Sequence, residues 1–246
     1  MTPSPLLHVQ GMGKRFGGFV VLDGIDFEVY PGERLGLIGP NGSGKSTTVN
    51  CLSGVLSHDT GQIRFGGQLL DGLKPHQRAY AGLARSFQIP RPFARLSVLK
   101  NIKVPMMFAA EQRSGQRLRE SQLDDQARQA LDQVGLLAKA DLLAGSLTQI
   151  DLRKLELARA IAAQPKLLIA DESMAGLATS ETDEILALLF QLNSQGIAVI
   201  MIEHIMRAVS AFSQRLVVLA AGKKIADGPT QEVLRDPLVE RIYLGD

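Results

Sequence analysis

The run Gly39-Pro40-Asn41-Gly42-Ser43-Gly44-Lys45-Ser46-Thr47 has residue types and spacing suited to one kind of chemistry, the holding of a phosphate chain. It fits G-x-x-x-x-G-K-[ST], with an apolar strand-like segment, Arg34 to Ile38, before it and a helix-compatible run, Thr47 to Leu52, after it. That strand–loop–helix setting separates a phosphate-binding loop from its plain alternative, a glycine-rich turn ahead of a helix. Glycines let successive backbone N–H groups converge on an anion, and the following helix adds the positive end of its dipole. Lys45 is expected to reach the β- and γ-phosphates and Ser46 to ligate Mg²⁺, with Gly39, Asn41, Gly42, Ser43, Gly44 and Thr47 completing the cradle. Such a loop needs a carboxylate at the end of a second buried strand, and Leu167-Leu168-Ile169-Ala170-Asp171-Glu172 supplies it. Asp171 is assigned to the magnesium side and Glu172 to the attacking water. Without the loop upstream, the same pair would read as a solvent-exposed strand end.

Parallel-sheet elements must position these residues. Lys166 to Ala170, Gly196 to Ile202 and Arg215 to Ala220 are continuously apolar, as strands covered on both faces are, and Ser180 to Asn193 reads as a helix between them. Leu7 to Met12, the alternating Ile25 to Val29 and Gly61 to Phe65 predict a small antiparallel sheet at the start. From Val98 to Leu143 charged, helix-favouring residues take over, as in Glu111-Gln112-Arg113 and Leu118 to Gln133, and predict an inserted helical lobe. A last turn signal stands at Asp227-Gly228-Pro229. The expected fold is α/β, a P-loop NTPase with a mixed core sheet. One domain spans 1–246, with its core at about 1–93 and 164–246 and the helical part at about 94–163.

Composition limits the alternatives. With 27 basic against 25 acidic residues no general attraction to nucleic acid follows. A single cysteine, Cys51, forms no internal disulfide and reads as a small buried hydrophobe. Met1 to Pro5 lacks the basic-then-apolar pattern of a signal peptide, and no apolar run approaches the ~18 residues of a membrane span, so a membrane role is expected through partners.

On these motifs the chain resembles the ATP-binding cassette ATPases over essentially its whole length. The resemblance implies ATP and Mg²⁺ as ligands and adds further site residues. Phe16, in Lys14-Arg15-Phe16-Gly17-Gly18, matches the aromatic on which the family stacks adenine, its alternative being an ordinary core phenylalanine. Gln88, in Arg85-Ser86-Phe87-Gln88, matches the glutamine that touches magnesium or water and links core to lobe. His204, after the strand ending at Ile202, matches the histidine on the γ-phosphate, where an imidazole can donate to the transferring phosphoryl group; a satisfied surface histidine is its alternative. Arg85 to Phe93, Asp171 to Leu177 and Asp236-Pro237 to Asp246 are similar to the cytoplasmic ATPase subunits of branched-chain amino-acid importers. That implies a second cassette, homo- or heteromeric, transmembrane permease subunits, an indirectly associated periplasmic or extracellular solute-binding protein, and a peripheral place on the cytoplasmic membrane face. The alternatives are a soluble cassette ATPase acting on nucleic acid or ribosomes and a weakly hydrolysing regulatory subunit.

The pattern breaks where the family's Leu-Ser-Gly-Gly-Gln signature, which acts on the partner's ATP, aligns with Leu147-Thr148-Gln149-Ile150-Asp151. Thr148 keeps the hydroxyl, Gln149 and Ile150 replace glycines that allow close backbone approach, and Asp151 replaces glutamine. Asp151 either faces a triphosphate as a like charge or closes a capping box with Thr148, the reading favoured. Ala178 stands where the family has an aspartate that communicates across the dimer. Phe93, Met106, Met107 and Phe108 could receive a helix from the membrane subunit or be buried in the lobe.

Overall fold

The computed structural model describes residues 4–86, 89–110, 115 and 118–244, with only the backbone path at 109–110 and 243–244. The expectations placed on Gln88, on 111–113 and on 245–246 lie outside the described residues, as do residues 1–3. The first layer is a four-stranded antiparallel sheet in the order β2-β1-β4-β5, formed by β1 (Leu7–Phe16), β2 (Phe19–Val29), β4 (Thr60–Phe65) and β5 (Gln68–Leu69). Its inward residues Leu7, Val9, Ile25, Phe27 and Ile63 alternate with polar neighbours, the period of a sheet with one face on the core. The second sheet has six strands in the order β10-β9-β3-β8-β7-β6. Within it β3 (Arg34–Ile38), β8 (Ala198–Ile202), β7 (Leu167–Asp171) and β6 (Leu83–Ser86) run parallel with β9 (Arg215–Ala220), and β10 (Lys223–Pro229) returns antiparallel at the edge.

Every residue of β7 and β8 is buried, which explains their lack of alternation. One face packs on the antiparallel sheet and α1 (Lys45–Ser53). The other carries α6 (Thr179–Ser194) and α7 (Met206–Phe212), through Leu189 and Phe212. Each fully buried leucine or isoleucine contributes about 1.5–3 kcal/mol to this packing.

A third apolar cluster belongs to the helical region, which follows the short α2 (Pro75–Ala81) and β6 and where α3 (Val98–Pro105), α4 (Glu120–Gln133) and α5 (Gln149–Ala162) meet through Ile102, Leu131 and Leu155. The turn expected at Asp227-Gly228-Pro229 is the end of β10 instead. Pro229 is the last residue of an edge strand, a place where its missing N–H costs no central ladder bond. Asp227 is held there by the Arg215 guanidinium, with Nε at 2.7 Å. Burial acts first, to raise the Asp227 pKa, but the bonds from Arg215 and Lys224 hold the carboxyl below the usual range. Among the described residues, no helix is long and apolar enough to cross a membrane.

Candidate functional site

The loop between β3 and α1 owes its shape to backbone proximity. A Cβ on Gly39 would lie 2.1 Å from the Leu219 carbonyl oxygen, and one on Gly44, at φ 104°, would lie 2.6 Å from a Leu22 methyl. Only glycine lets the chain pass there. The loop opens a cleft lined by Val21, Asn41 to Thr47, Glu172 and His204. Lys45 begins α1 and is buried. Its Nζ donates to the carbonyls of Gly39, at 2.6 Å, and Pro40, at 3.0 Å. Burial lowers its pKa, and the nearby Glu172 carboxylate opposes that shift. Ser46 is exposed to the cleft, whereas the Ser43 hydroxyl is buried with no hydrogen-bond partner. The chemistry is that of an anion site: a desolvated ammonium at the start of a helix, on a glycine-rich loop that lines the cleft.

Residues just past two strand ends complete the cleft, Glu172 after β7 and His204 after β8. Asp171 ends β7, and its Oδ2 accepts from Nη2 of Arg85 at 2.7 Å. Arg85, on β6, also donates to Asn50 and Ser53 of α1, so one guanidinium ties the carboxylate to the helix after the loop. Glu172 follows in the left-handed region, at φ 47°, a conformation rare for a residue with a side chain. Its N–H donates to the Ile202 carbonyl at 2.8 Å. Its Oε1 lies 3.0 Å from Nε2 of His204, just past the end of β8. The hydroxyl of Ser46 and the carboxylate of Asp171 are hard oxygen donors, too few for a cage of their own. They suit Mg²⁺, which keeps waters and takes further ligands from substrate phosphates.

Phe16 lies 48% exposed at the end of β1, so it is not an ordinary core phenylalanine. The Lys14 ammonium lies 5.5 Å from its ring centroid.

Thr148 caps α5, accepting from Asp151 N–H at 3.3 Å and donating its hydroxyl to Asp151 Oδ2 at 2.7 Å. Lys139 closes on the same carboxylate at 2.5 Å. Burial works against the charge, but the bonds from Lys139 and Thr148 outweigh it and hold the carboxyl below its ordinary range. Asp151 is therefore turned into the helical region and charge-paired, not presented as a bare anion. Thr148 and Gln149 are exposed, Ile150 half-buried. Of the apolar residues flagged in this region, Met106 is core, while Phe93, Met107 and Phe108 are exposed.

Three side chains here carry no sequence signal of their own: Arg85, Arg153 and Glu203. Glu203 is 3% exposed, and its Oε1 accepts from Met174 N–H at 2.9 Å. Burial raises its pKa to about 7 despite that bond, and the Glu172 charge adds to the rise while Arg153 opposes it. A carboxyl that keeps its proton longer in the folded than in the unfolded chain withdraws stability as pH rises through the window between the two pKa values. Here that window runs from the ordinary 4.5 to about 7. The stability difference between Glu203→Gln and the parent is therefore expected to grow in the variant's favour by about 3 kcal/mol from pH 4.5 to pH 8. Denaturant melts at the two pH values measure it; a constant difference would mean that Glu203 titrates as an exposed acid.

The chain is similar to known proteins along nearly its whole length. A family model described as "ABC transporter" matches residues 22–175. The high-affinity branched-chain amino acid transport ATP-binding protein LivG of Escherichia coli (strain K12) is 37% identical, the match covering 98% of each chain. BraF of Pseudomonas aeruginosa, described in the same words, is 35% identical, again over 98% of each. Among solved structures, the ADP conformation of MJ1267, an ATP-binding cassette of an ABC transporter, superposes with a TM-score of 0.87 at 30% identity, covering 99% of this chain and 100% of that one.

Proposed function

The chain belongs to the ABC transporter ATP-binding family, and from that premise we propose that it is the ATP-hydrolysing subunit powering import of branched-chain or related amino acids. The observation that carries the hydrolytic reading is the convergence of Lys45, Glu172 and His204 on one cleft at the phosphate loop. The N–H groups of the loop and the Lys45 ammonium bind the β- and γ-phosphates. Glu172 accepts a proton from the attacking water, and His204 turns its Nε2–H from Glu172 to the γ-phosphoryl group when ATP binds. Ser46 and Asp171, with Gln88 as the family pattern implies, would hold Mg²⁺, which would supply charge neutralisation to the phosphate chain. Phe16 provides the platform for adenine.

The substrate class rests on the relatives described as branched-chain amino acid transport proteins. The chain works as one cassette domain at the cytoplasmic membrane face, paired with a second cassette and bound to permease subunits, with a solute-binding protein on the far side. A groove of ≈530 Å³ lined by Pro75, Tyr80, Arg85, Val104, Phe108 and Arg159 suits a short helix from a permease.

The signature side departs from the family. The Thr148 hydroxyl proton is committed to Asp151, and the β-branched Ile150 stands where the family has a glycine. We therefore favour a heterodimer in which the second cassette supplies the better signature. ATP turnover by the purified chain, alone and with its second cassette and permease subunits, tests both claims. At least a tenfold rise on assembly is expected. Full turnover by the lone chain would sink the heterodimer, and no turnover in the complete assembly would sink the catalytic reading.

A further inference from the structure

The consecutive residues Ile202, Glu203 and His204 each grip the segment that carries Glu172, and each does so differently. The Ile202 carbonyl accepts the Glu172 N–H at 2.8 Å. Glu203, pointing inward, accepts the Met174 N–H at 2.9 Å. His204, pointing outward, meets the Glu172 carboxylate at 3.0 Å. Between these holds, Glu172 keeps a left-handed backbone, φ 47°, that a side-chain-bearing residue adopts only when its surroundings enforce it.

Glu203 is the member of this trio with no part in the chemistry described above. Its side chain is buried, with the Ser173 hydroxyl 3.5 Å away as a second, weaker donor. The ionisable groups that act on it are Glu172 and Arg153. Arg153 comes from α5, and its Nη2 donates to the Ala175 carbonyl at 3.2 Å. The loop after Glu172 is thus held from one side by Glu203 and from the other by the helix that Thr148 caps.

We propose that Glu203 is a positioning residue for ATP hydrolysis: its buried carboxyl anchors the Met174 N–H and so keeps Glu172 turned toward the phosphate loop beside His204. Its side chain is buried and lies outside the lining of the cleft at the phosphate loop. This rests on the reading of Glu172 as the group that activates water, and losing the anchor lets that carboxylate swing without disturbing the phosphate cradle around Lys45.

The test is a substitution series in the assembly that hydrolyses ATP, with kcat, KM and equilibrium ATP binding measured for each variant. Glu203→Gln keeps an oxygen acceptor at the same reach and is expected to retain kcat within about threefold. Glu203→Asp draws the acceptor back by one methylene, and Glu203→Leu abolishes it. The expected order of kcat is Glu, Gln, Asp, Leu, with the leucine variant at least tenfold down and ATP affinity within twofold throughout. Should the leucine variant not fold, the aspartate variant carries the test, with at least a threefold fall expected. Unchanged kcat in Glu203→Asp and Glu203→Leu overturns the proposal. So does a Gln variant as impaired as the Leu variant, or a fall in ATP affinity that matches the fall in kcat, since either marks general structural damage. Glu172→Gln, run alongside, separates the two failures. If it leaves turnover intact, the reading of Glu172 fails; if it stops turnover while Glu203→Leu does not, the anchor alone fails.

Discussion

Glu172→Gln is expected to lower ATP turnover by about 10²–10⁴-fold, the contribution of a positioned general base, or about 3–5 kcal/mol of transition-state stabilisation. The amide has the shape of the carboxylate and can keep the contact with His204 Nε2, now 3.0 Å from Oε1, but it cannot take a proton from water. The backbone turn at φ 47° is fixed by the Ile202 carbonyl and by the Met174 anchor, neither of which the substitution touches. Binding should persist and even tighten. Glu172 is a negative charge close enough to Lys45 to act on its pKa, and an incoming triphosphate meets the same charge. Single-turnover hydrolysis and equilibrium ATP binding, measured on the assembled complex, separate the two effects. An inactive variant that holds ATP fits a working ATPase; a variant hydrolysing like the parent would revive the weakly hydrolysing regulatory subunit.

The parts of this site that follow from local chemistry are legible in the sequence itself. A phosphate loop is a property of contiguous residues, and β7, with Asp171 at its end, is a run whose full burial on both faces is written in its composition. His204 was legible only through family resemblance. What escaped depends on residues distant in sequence. Lys139 neutralises Asp151 from the other side of a loop, so sequence could offer the cap but not the partner. Arg85 reaches Asp171 across neighbouring strands. Glu203 adjoins a histidine of recognisable role, yet nothing in a run of apolar residues ending in an acid says which way that acid points. The end of the edge strand β10 reads as a turn for a physical reason: Gly228 and Pro229 punctuate turns in general, and the ladder with β9, Gly228 opposite Leu216 and Pro229 opposite Arg215, carries the strand through them.

Lys45→Ala is expected to weaken ATP binding by about 10²–10³-fold, or about 3–4 kcal/mol. The Lys45 side chain spans from the start of α1 back to the Gly39 and Pro40 carbonyls, so its ammonium sits inside the curve of the loop. Burial already lowers its pKa, because few waters solvate the charge. Carbonyl dipoles compensate in part; phosphate oxygens are stronger acceptors, and at ~4 Å a unit charge pair is worth about 4 kcal/mol at an effective dielectric of 20. Alanine removes that attraction and leaves the loop N–H groups and helix dipole to hold the phosphates alone. Arginine should rescue little, since a planar guanidinium is larger than the pocket at the Gly39 carbonyl, only 2.6 Å from Nζ. Equilibrium binding of ATP to Lys45→Ala, Lys45→Arg and Glu172→Gln then sorts the roles. The lysine variants lose the ligand, while Glu172→Gln keeps it and loses only the reaction. Combining Lys45→Ala with Glu172→Gln must abolish any trapped ATP, because retention by the carboxamide variant depends on the cradle that Lys45 completes. Parent-like ATP affinity in Lys45→Ala would remove the phosphate cradle from the mechanism and leave Glu172 with no substrate to act on.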